Sequence, residues 1–459
     1  MPSSRILITH ARVITQNPVL GTLTDADVLI VDDKIVHIGS GIRDDRADVI
    51  DATGMTVMPG MIDSHRHMWQ GAIAGSGAKV SLSGYFGVVL SGLLDKYRPQ
   101  DVYDGVLWSS LQAINAGVTT VADWSHIVTT PEHADENVRA LQDSGIRAVF
   151  LYGPPVGQGL EKWFYESVEA HPADARRMRA EVLSDDDARV TMGIAARGPE
   201  FSVPRVAAQD LRLARDLDVV ASMHSGLPGY VSKYKTIVTL DELGVLGEGV
   251  HHAHGAQFSD ADLARIAATG GAISPCPTVD MQMAMATFPA TGRALDHGIT
   301  TGLGTDTNSG TGTDLFSEMR IALSAERART NKAALDRDEP PQAVERDAQS
   351  MLDTVTTQSA KIWRHQDRTG SLMIGGKADL IIVDTTRPQF VPINDPVTSI
   401  VLNAGASDVD TVIVDGIIRK RDGRLTGDLE TAAERLEASR RFVFDAADLA
   451  DILGPSFTV

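Results

Sequence analysis

Short apolar runs alternate with helical stretches along the middle of this chain. Such runs predict buried β-strands, and helical segments between them predict a parallel sheet covered by helices on its outer side. Eight units of this kind predict an α/β fold, a closed (β/α)8 TIM barrel. An open doubly wound sheet is less favoured because no glycine-rich dinucleotide fingerprint follows an early strand. The predicted strands are residues 57–63, 118–123, 147–152, 190–196, 219–224, 250–254, 271–275 and 299–306.

Short strands separated by turn signals lie at both ends of the chain. Residues 5–57 and 366–425 each contain several, and neither end is large enough to form a complete sandwich. We therefore expect the two ends to pair in one composite β-sandwich. The predicted division is 1–57 and 366–425 for this sandwich, 58–365 for the barrel, and 426–459 for a terminal helix and tail.

The composition argues against several kinds of partner. The 61 acidic and 42 basic residues give a net charge of −19, which disfavours nucleic acid and anionic membrane surfaces. No run approaches the ~20 apolar residues of a membrane span, and the N-terminus has no signal-peptide pattern. A lone cysteine, Cys276, excludes an internal disulfide framework and fits a reducing compartment. We expect a cytoplasmic protein that acts on a small molecule.

Histidines and one aspartate stand at the predicted strand ends. His65 and His67 end the first strand, His224 the fifth, His254 the sixth and Asp306 the eighth. Alternate residues of a strand face the same side, so the first two imidazoles can converge on one ion. Barrel enzymes carry their chemistry at this end, and imidazole with carboxylate suits Zn²⁺ or Fe²⁺. A single histidine at a strand end is usually only hydrogen-bonded, but the joint pattern predicts a metal site.

Four motifs resemble those of the amidohydrolase superfamily, in particular its cytosine deaminase and triazine hydrolase branch. They are PGMIDSHRH at residues 59–67, AGVTTVAD at 116–123, GLGTD at 302–306 and GKADL at 376–380. The resemblance runs from about residue 5 to about residue 420. It implies a metal-dependent barrel with a composite β-sandwich, and a homodimer or higher homo-oligomer.

The resemblance also implies roles for the histidines and the aspartate at the strand ends. His65, His67, His224 and Asp306 would bind one divalent metal ion, most simply Zn²⁺, with Fe²⁺ as the alternative. Asp306 would orient the activated water and accept its proton, and His254 would polarise the substrate or transfer protons.

The fourth predicted strand bears on the number of metal ions. Binuclear members of the superfamily have a carboxylated lysine near its end, and residues 189–200 contain no lysine. One ion is therefore expected. Glu200, just past this strand, could serve as a bridging ligand, which leaves a two-metal site open.

The stretch after His224 departs from the His-x-x-Glu pattern of the aminohydrolases. Leu227 stands where that glutamate would protonate the substrate, and a leucine cannot transfer a proton. Glu200 could replace this acid, or the substrate could need no such proton. The chemistry could also be non-hydrolytic, which would make the enzyme a lyase, decarboxylase or cyclase.

The leading hypothesis is a mononuclear metal-dependent hydrolase of a C–N bond, a deaminase or amidohydrolase, acting on a small cyclic or aromatic compound. The non-hydrolytic enzyme is the alternative. An inactive binding homologue is less favoured because the set of metal ligands is complete.

Aromatic side chains predict a flat substrate held by stacking. Trp69 and Gln70 follow the metal motif directly, and Trp124 follows the second strand. Ordinary packing beneath a long loop, residues 68–100, is the alternative explanation.

Two more residues are predicted to contact the substrate. Arg197, after the fourth strand, could clamp a carboxylate or phosphate, or instead pair with Glu200 or another acid. By strand alternation His252 shares a face with His254, so we expect it to face the barrel interior and His251 to face the helices.

Overall fold

The computed structural model describes residues 4–157, 159–312 and 314–447. Two nine-stranded sheets dominate it. The strands are β1 Arg5–Ile14, β2 Thr22–Val31, β3 Lys34–Gly39, β4 Asp48–Asp51, β5 Thr56–Pro59, β6 Met61–His67, β7 Val118–Ser125, β8 Arg147–Tyr152, β9 Val190–Ala196, β10 Ala221–Ser225, β11 Val250–His254, β12 Ala272–Ser274, β13 Thr300–Thr301, β14 Asp306–Thr307, β15 Leu380–Val383, β16 Val409–Val414, β17 Ile417–Arg421 and β18 Arg424–Leu425.

Most of the helices lie between consecutive strands of the series β6 to β13. They are α1 Leu82–Tyr85, α2 Pro99–Asn115, α3 Pro131–Ser144, α4 Leu160–Trp163, α5 Asp174–Arg177, α6 Pro204–Asp216, α7 Tyr230–Tyr234, α8 Thr236–Glu242, α9 Asp260–Thr269, α10 Pro277–Gln282, α11 Thr291–Asp296, α12 Leu315–Leu335, α13 Ala348–Thr354, α14 Thr357–Ile362, α15 Pro396–Asn403 and α16 Leu429–Ala446. None of the described helices is both long and apolar enough to cross a membrane.

Strands β6 to β14 form the predicted barrel. They are all parallel, and from β6 to β13 each strand pairs with the next one in the chain. The predicted eighth strand is split in two: β13 pairs with β12, while β14 pairs with β6. The chain between these pieces passes from the seventh strand to the first, and so closes the sheet. The α/β TIM-barrel prediction is confirmed.

Both ends of the chain build the second sheet, as expected. Strands β1 to β5 come from the N-terminal end and β15 to β18 from the C-terminal end. The two halves join where β15 pairs antiparallel with β5, with Leu380 opposite Pro59. This mixed sheet has its own apolar core, to which both ends contribute, for example Ile8 and Ile382.

The strand predicted over residues 57–63 is two strands. Thr56–Pro59 belongs to the mixed sheet as β5, and the barrel begins only at Met61. Gly60 separates them, and a Cβ on this residue would collide with the Thr119 side chain. The chain changes sheets at a glycine because no side chain fits there.

Residues 68–98, predicted as a long loop, form a largely helical cover over the mouth of the barrel. We call them the roof segment. It contains a 3₁₀ turn at Met68–Ile73, α1, a π-helical stretch at Phe86–Leu93 and a second 3₁₀ turn at Leu94–Lys96. π-Helices are rare and often lie at functional sites.

The predicted C-terminal helix is present as α16. It packs on α2, where Ser439 Oγ donates to Asp104 Oδ2 at 2.9 Å. The predicted tail after it lies outside the described residues, which end at Ala447.

Candidate metal centre

The structure brings the five predicted strand-end residues together at the C-terminal mouth of the barrel. Ligand atoms of His65, His224, His254 and Asp306 all lie within 4.8 Å of one another. His67 Nε2 approaches the same point, at 3.2 Å from His224 Nε2 and 3.3 Å from Asp306 Oδ1. Four different strands therefore supply one compact cluster.

The ring of His67 shows why this cluster fits a cation. Its Nδ1 lies 2.7 Å from the Trp124 carbonyl oxygen, which can only accept, so the proton belongs on Nδ1. Its Nε2 then carries a lone pair that points at the Asp306 carboxylate and at His224 Nε2. Converging lone pairs repel each other unless a positive charge lies between them. The donor set therefore fits a divalent metal ion.

The electrostatics of the cluster agree with that fit. Burial lowers the pKa of His65 to about 4 and holds the pKa of His224 well below its usual range, so both rings are neutral. Burial alone would raise the pKa of Asp306, but the contacts of its carboxylate with the rings of His65 and His67 hold that pKa well below the usual value. Neutral imidazoles with an ionised carboxylate are the ligand forms that Zn²⁺ requires.

A carboxylate that we did not predict orients His254. Asp280 on α10 lies with Oδ1 2.9 Å from His254 Nδ1. Burial would lower the pKa of His254, but this hydrogen bond and the nearby charges raise it overall. In metal sites a histidine often donates its second ring N–H to a carboxylate, which fixes the orientation of the ring. No sequence pattern singled out Asp280, because the contact depends on how α10 folds back.

The predicted directions of the neighbouring histidines are wrong. His251 faces the barrel interior, where its ring nitrogens lie 2.8 Å from the hydroxyls of Ser222 and Ser274 on the adjacent strands. His252 faces outward, with Nδ1 2.9 Å from Ser225 Oγ and its ring against Phe258. His254 has a left-handed backbone, with φ of 71°, which turns its side chain inward out of strand alternation. His252 therefore does not line the cavity.

The GLGTD motif places Asp306 through a close approach of two strands. A Cβ on Gly304 would lie 2.6 Å from the His65 carbonyl oxygen and 2.8 Å from its Cβ. Asp306 itself has φ of 59°, a conformation that aspartate tolerates better than most residues. Glycine is required at 304 so that the eighth strand can reach the first and deliver its carboxylate.

A small cavity of about 40 Å³ opens beside the cluster. Trp124, a predicted substrate contact, is among its lining residues. Apart from the metal-site residues, its walls are mostly apolar and come from the roof segment and from loops after several strands. They include Leu82, Tyr85, Phe86, Leu90, Phe164, Phe201, Leu227, Met283 and Met285.

Trp69 and Gln70 lie in the first turn of the roof segment and do not line the cavity. The Gln70 amide bridges the Tyr85 hydroxyl, at 2.5 Å, and the Thr307 hydroxyl. The Trp69 ring meets the rings of Tyr97 and His126 edge-on. Both residues are fully buried, so the contacts seen are those of packing.

Arg197 forms a buried ion pair and does not reach the cavity. Its Nε and Nη2 donate to the two carboxylate oxygens of Asp210, at 3.0 and 2.9 Å, and Nη1 donates to Ser167 Oγ. Pairing with a nearby acid was one of the two expectations for this arginine. The acid is Asp210 on α6, and not Glu200.

Glu200 holds the loop that carries Leu227. Its carboxylate accepts hydrogen bonds from the backbone N–H groups of Gly226 and Leu227 and from the Thr236 hydroxyl, at 2.7 to 3.0 Å. Burial raises its pKa to about 7. It does not line the cavity, so these contacts are those of a residue that positions a loop. Its predicted proton-transfer role stays a prediction.

Comparison with known proteins agrees with this fold and site. The model of the amidohydrolase family matches residues 56–419. The 5'-deoxyadenosine deaminase of Methanosarcina mazei is 29% identical over 429 residues, which cover 92% of this chain and 94% of that protein. The atrazine chlorohydrolase of Arthrobacter aurescens TC1, solved with zinc, has a TM-score of 0.82 and 24% identity, with 95% of this chain and 100% of that chain covered.

A further solved structure is the adenosine deaminase from Xanthomonas campestris with bound zinc. Its TM-score is 0.80 at 21% identity, and the match covers 96% of this chain and 98% of that chain. These likenesses extend over the whole barrel and the mixed sheet, and the family match alone spans most of the chain. The chain therefore belongs to the amidohydrolase family.

Proposed function

We propose that this chain is a mononuclear metal-dependent hydrolase that removes the amino group from a small ring compound. The observation that carries the proposal is the convergence of neutral imidazoles and one ionised carboxylate, Asp306, at the mouth of the barrel. Membership of the amidohydrolase family supports hydrolysis of a C–N bond, and the named relatives include deaminases.

Each residue of the site has a distinct task in this reaction. A bound divalent ion lowers the pKa of water enough to supply a nucleophile near neutral pH. The Oδ1 atom of Asp306 lies 3.1 Å from His65 Nε2, within the cluster. Because this carboxylate is ionised, it would accept the proton of the attacking water. His254, held by Asp280, directs its other ring nitrogen toward the reacting group and donates a hydrogen bond there.

One metal ion is favoured over two. Glu200, the candidate for a bridging ligand, has both carboxylate oxygens occupied by backbone N–H donors. No lysine lies in residues 189–200 to take the place of a carboxylated bridge. We propose Zn²⁺ as the ion, because imidazole and carboxylate suit it and two similar structures carry zinc. Fe²⁺ is the competitor, and metal analysis of the purified protein separates them.

Leu227 supports a second candidate reaction. Its side chain lines the cavity where an aminohydrolase of the His-x-x-Glu type would hold a proton donor. A substrate whose leaving group departs without protonation, or a lyase, decarboxylase or cyclase reaction, would suit this wall equally well. His254 with its partner Asp280 is the group that would supply the proton in a deamination.

The test is a panel of ring amines, amides and cyclic ureas incubated with metal-loaded protein in isotopically labelled water. We expect ammonia release and one labelled oxygen in the product. A product without label would support the non-hydrolytic reaction. A panel with no turnover, at one equivalent of bound metal, would overturn the proposal.

The variant His67→Ala tests the metal site directly. Loss of one imidazole ligand should lower the bound metal to well under one equivalent and lower kcat/KM by about a hundredfold or more, because loss of even a hydrogen-bond partner of a ligand costs about 10- to 100-fold. His37→Ala is the matched control, since His37 is exposed on β3 of the mixed sheet. Retention of both metal and activity in His67→Ala would contradict the assignment.

A homodimer or higher oligomer is proposed on the family resemblance alone. Sedimentation of the purified chain measures it directly.

A further inference from the structure

Apart from the metal-site residues, the cavity beside the metal centre is lined mostly by apolar side chains. We propose that it selects a flat ring bearing an apolar substituent and rejects sugar, carboxylate and phosphate groups. The proposal rests on the proposed function, because the ring is taken to present its reacting carbon to the metal centre.

Three phenylalanines from three separate segments form one wall of the cavity. Phe86 belongs to the roof segment, Phe164 follows α4 and Phe201 follows β9. The ring centroids of Phe164 and Phe201 are 4.2 Å apart, and Phe86 lies 5.9 and 6.3 Å from them. Such tilted and edge-to-face contacts give a fixed apolar surface. Leu227 and Met285 add to the apolar lining of the same cavity.

Arg197 and Glu200, which precede Phe201 in the chain, already bind other partners. The guanidinium of Arg197 is bound to Asp210 and Ser167, and the carboxylate of Glu200 is bound to backbone N–H groups. Beyond the metal ligands and His254, the side chains with polar atoms that line the described cavity are Tyr85, His126 and Trp124, whose indole Nε1 has no hydrogen-bond partner. Burial holds the pKa of Tyr85 well above its usual value, so its hydroxyl is neutral.

This arrangement discriminates between substituents of similar size. An alkyl group entering the phenylalanine wall leaves water without losing hydrogen bonds. A diol or carboxylate entering the same space loses its water and finds no partner, which costs affinity. The Tyr85 hydroxyl, bonded to Gln70, can meet one polar atom of the ring but not the several hydroxyls of a sugar.

The experiment compares three substituents on the same ring. The probes are N-propyl, N-(2,3-dihydroxypropyl) and N-(2-carboxyethyl) derivatives of a diaminopurine, a diaminopyrimidine and a diaminotriazine, each with one substituted amino group and one free amino group. Their dissociation constants are measured by calorimetry on the zinc-loaded full chain. We expect the propyl compound to bind at least tenfold more tightly than either polar compound on the ring that binds best.

Two outcomes would overturn the proposal: equal or tighter binding of a polar compound on that ring, or no binding by any propyl compound. Ammonia release is measured separately on the same compounds. A propyl preference without ammonia release would refute the proposed deamination and leave this inference standing. Ammonia release with a preference for the dihydroxypropyl compound would refute this inference and leave the proposed deamination standing.

Variants of the wall connect the preference to its residues. Phe86→Ser should lower the propyl preference at least tenfold, while Phe86→Leu should largely keep it, because leucine restores an apolar surface. Phe442→Ser is the control, since Phe442 is an exposed phenylalanine on α16. If Phe86→Ser does not fold, Met285→Gln, a near-isosteric polar change in the same wall, should lower the preference in the same direction. An unchanged preference in both variants would contradict the assignment of the wall.

Discussion

At the scale of single residues, the most unusual buried acid outside the metal cluster is Glu318 on α12. It is 3% exposed, and its Oε2 accepts a hydrogen bond from the backbone N–H of Thr278, at the start of α10. Burial first, then the nearby charges of Asp63 and Asp280, raise its pKa from 4.5 to about 8. The folded protein therefore keeps a proton on this group that the unfolded chain releases near pH 4.5.

This shift predicts a pH dependence of the free energy of unfolding. Glu318 contributes stability that is fully present below pH 4.5 and is lost as the pH rises through about 8. Glu318→Gln can keep the bond from Thr278 without a titrating charge. Relative to this variant, the free energy of unfolding of the wild type should fall by a few kcal/mol between pH 5 and pH 9, since a tenfold change in proton affinity is worth about 1.4 kcal/mol. Urea denaturation across this range measures it, and parallel pH profiles would contradict it.

The residues of the metal cluster could be predicted from the sequence because each stands at the end of a recognisable strand. Strand alternation then failed at His252, because the left-handed backbone of His254 reverses the relation between the two side chains. Asp280 could not be predicted either. Its partner lies 26 positions earlier in the chain, and only the path of the loop between them brings the two together.

At the scale of elements, the close packing of the eighth strand on the first predicts a strong effect of one methyl group. In Gly304→Ala the new Cβ would collide with the carbonyl oxygen and Cβ of His65. Either the strand moves, which displaces Asp306, or His65 moves. Bound metal should therefore fall below one equivalent. The free energy of unfolding should fall by about 1–3 kcal/mol, which is the typical cost of an overpacked core.

The control for that change is Gly427→Ala, because no atom lies within 4 Å of a Cβ built there. Metal analysis and urea denaturation of the two variants give the comparison. Full metal occupancy in Gly304→Ala would show that the two strands can separate without disturbing the ligands.

The roof segment marks the limit of prediction at this scale. The barrel strands could be placed because apolar runs and turns recur regularly, and the strands over Arg147–Tyr152 and Val190–Ala196 were predicted with their observed bounds. Residues 68–98 show no such regularity, and their short helices depend on packing against the barrel mouth. The sequence therefore indicated aromatic residues there, but not which of them would face the cavity.

At the scale of the whole molecule, one buried ion pair ties the barrel to the mixed sheet. Arg147 begins β8 of the barrel, and its Nε and Nη2 donate to Asp379 of the GKADL motif, at 2.7 and 3.1 Å. Nη2 also donates to Asp415, in the turn after β16. The arginine and Asp379 are 2% and 1% exposed. The GKADL motif therefore acts as a connection between the two sheets, far from the metal centre.

Arg147→Ala would leave the carboxylate of Asp379 buried without its counter-charge. Removing one partner of a buried pair costs about 3–5 kcal/mol, so we expect a loss of that size in the free energy of unfolding. Arg421→Ala is the matched control: it breaks the Arg421–Asp48 pair, whose side chains are 35% and 52% exposed, and should cost within about 1 kcal/mol. Bound metal should stay at one equivalent in both folded variants, because neither arginine touches the cluster. Urea denaturation gives the two values, and an equal, small loss for both would show that Arg147 does not hold the two sheets together.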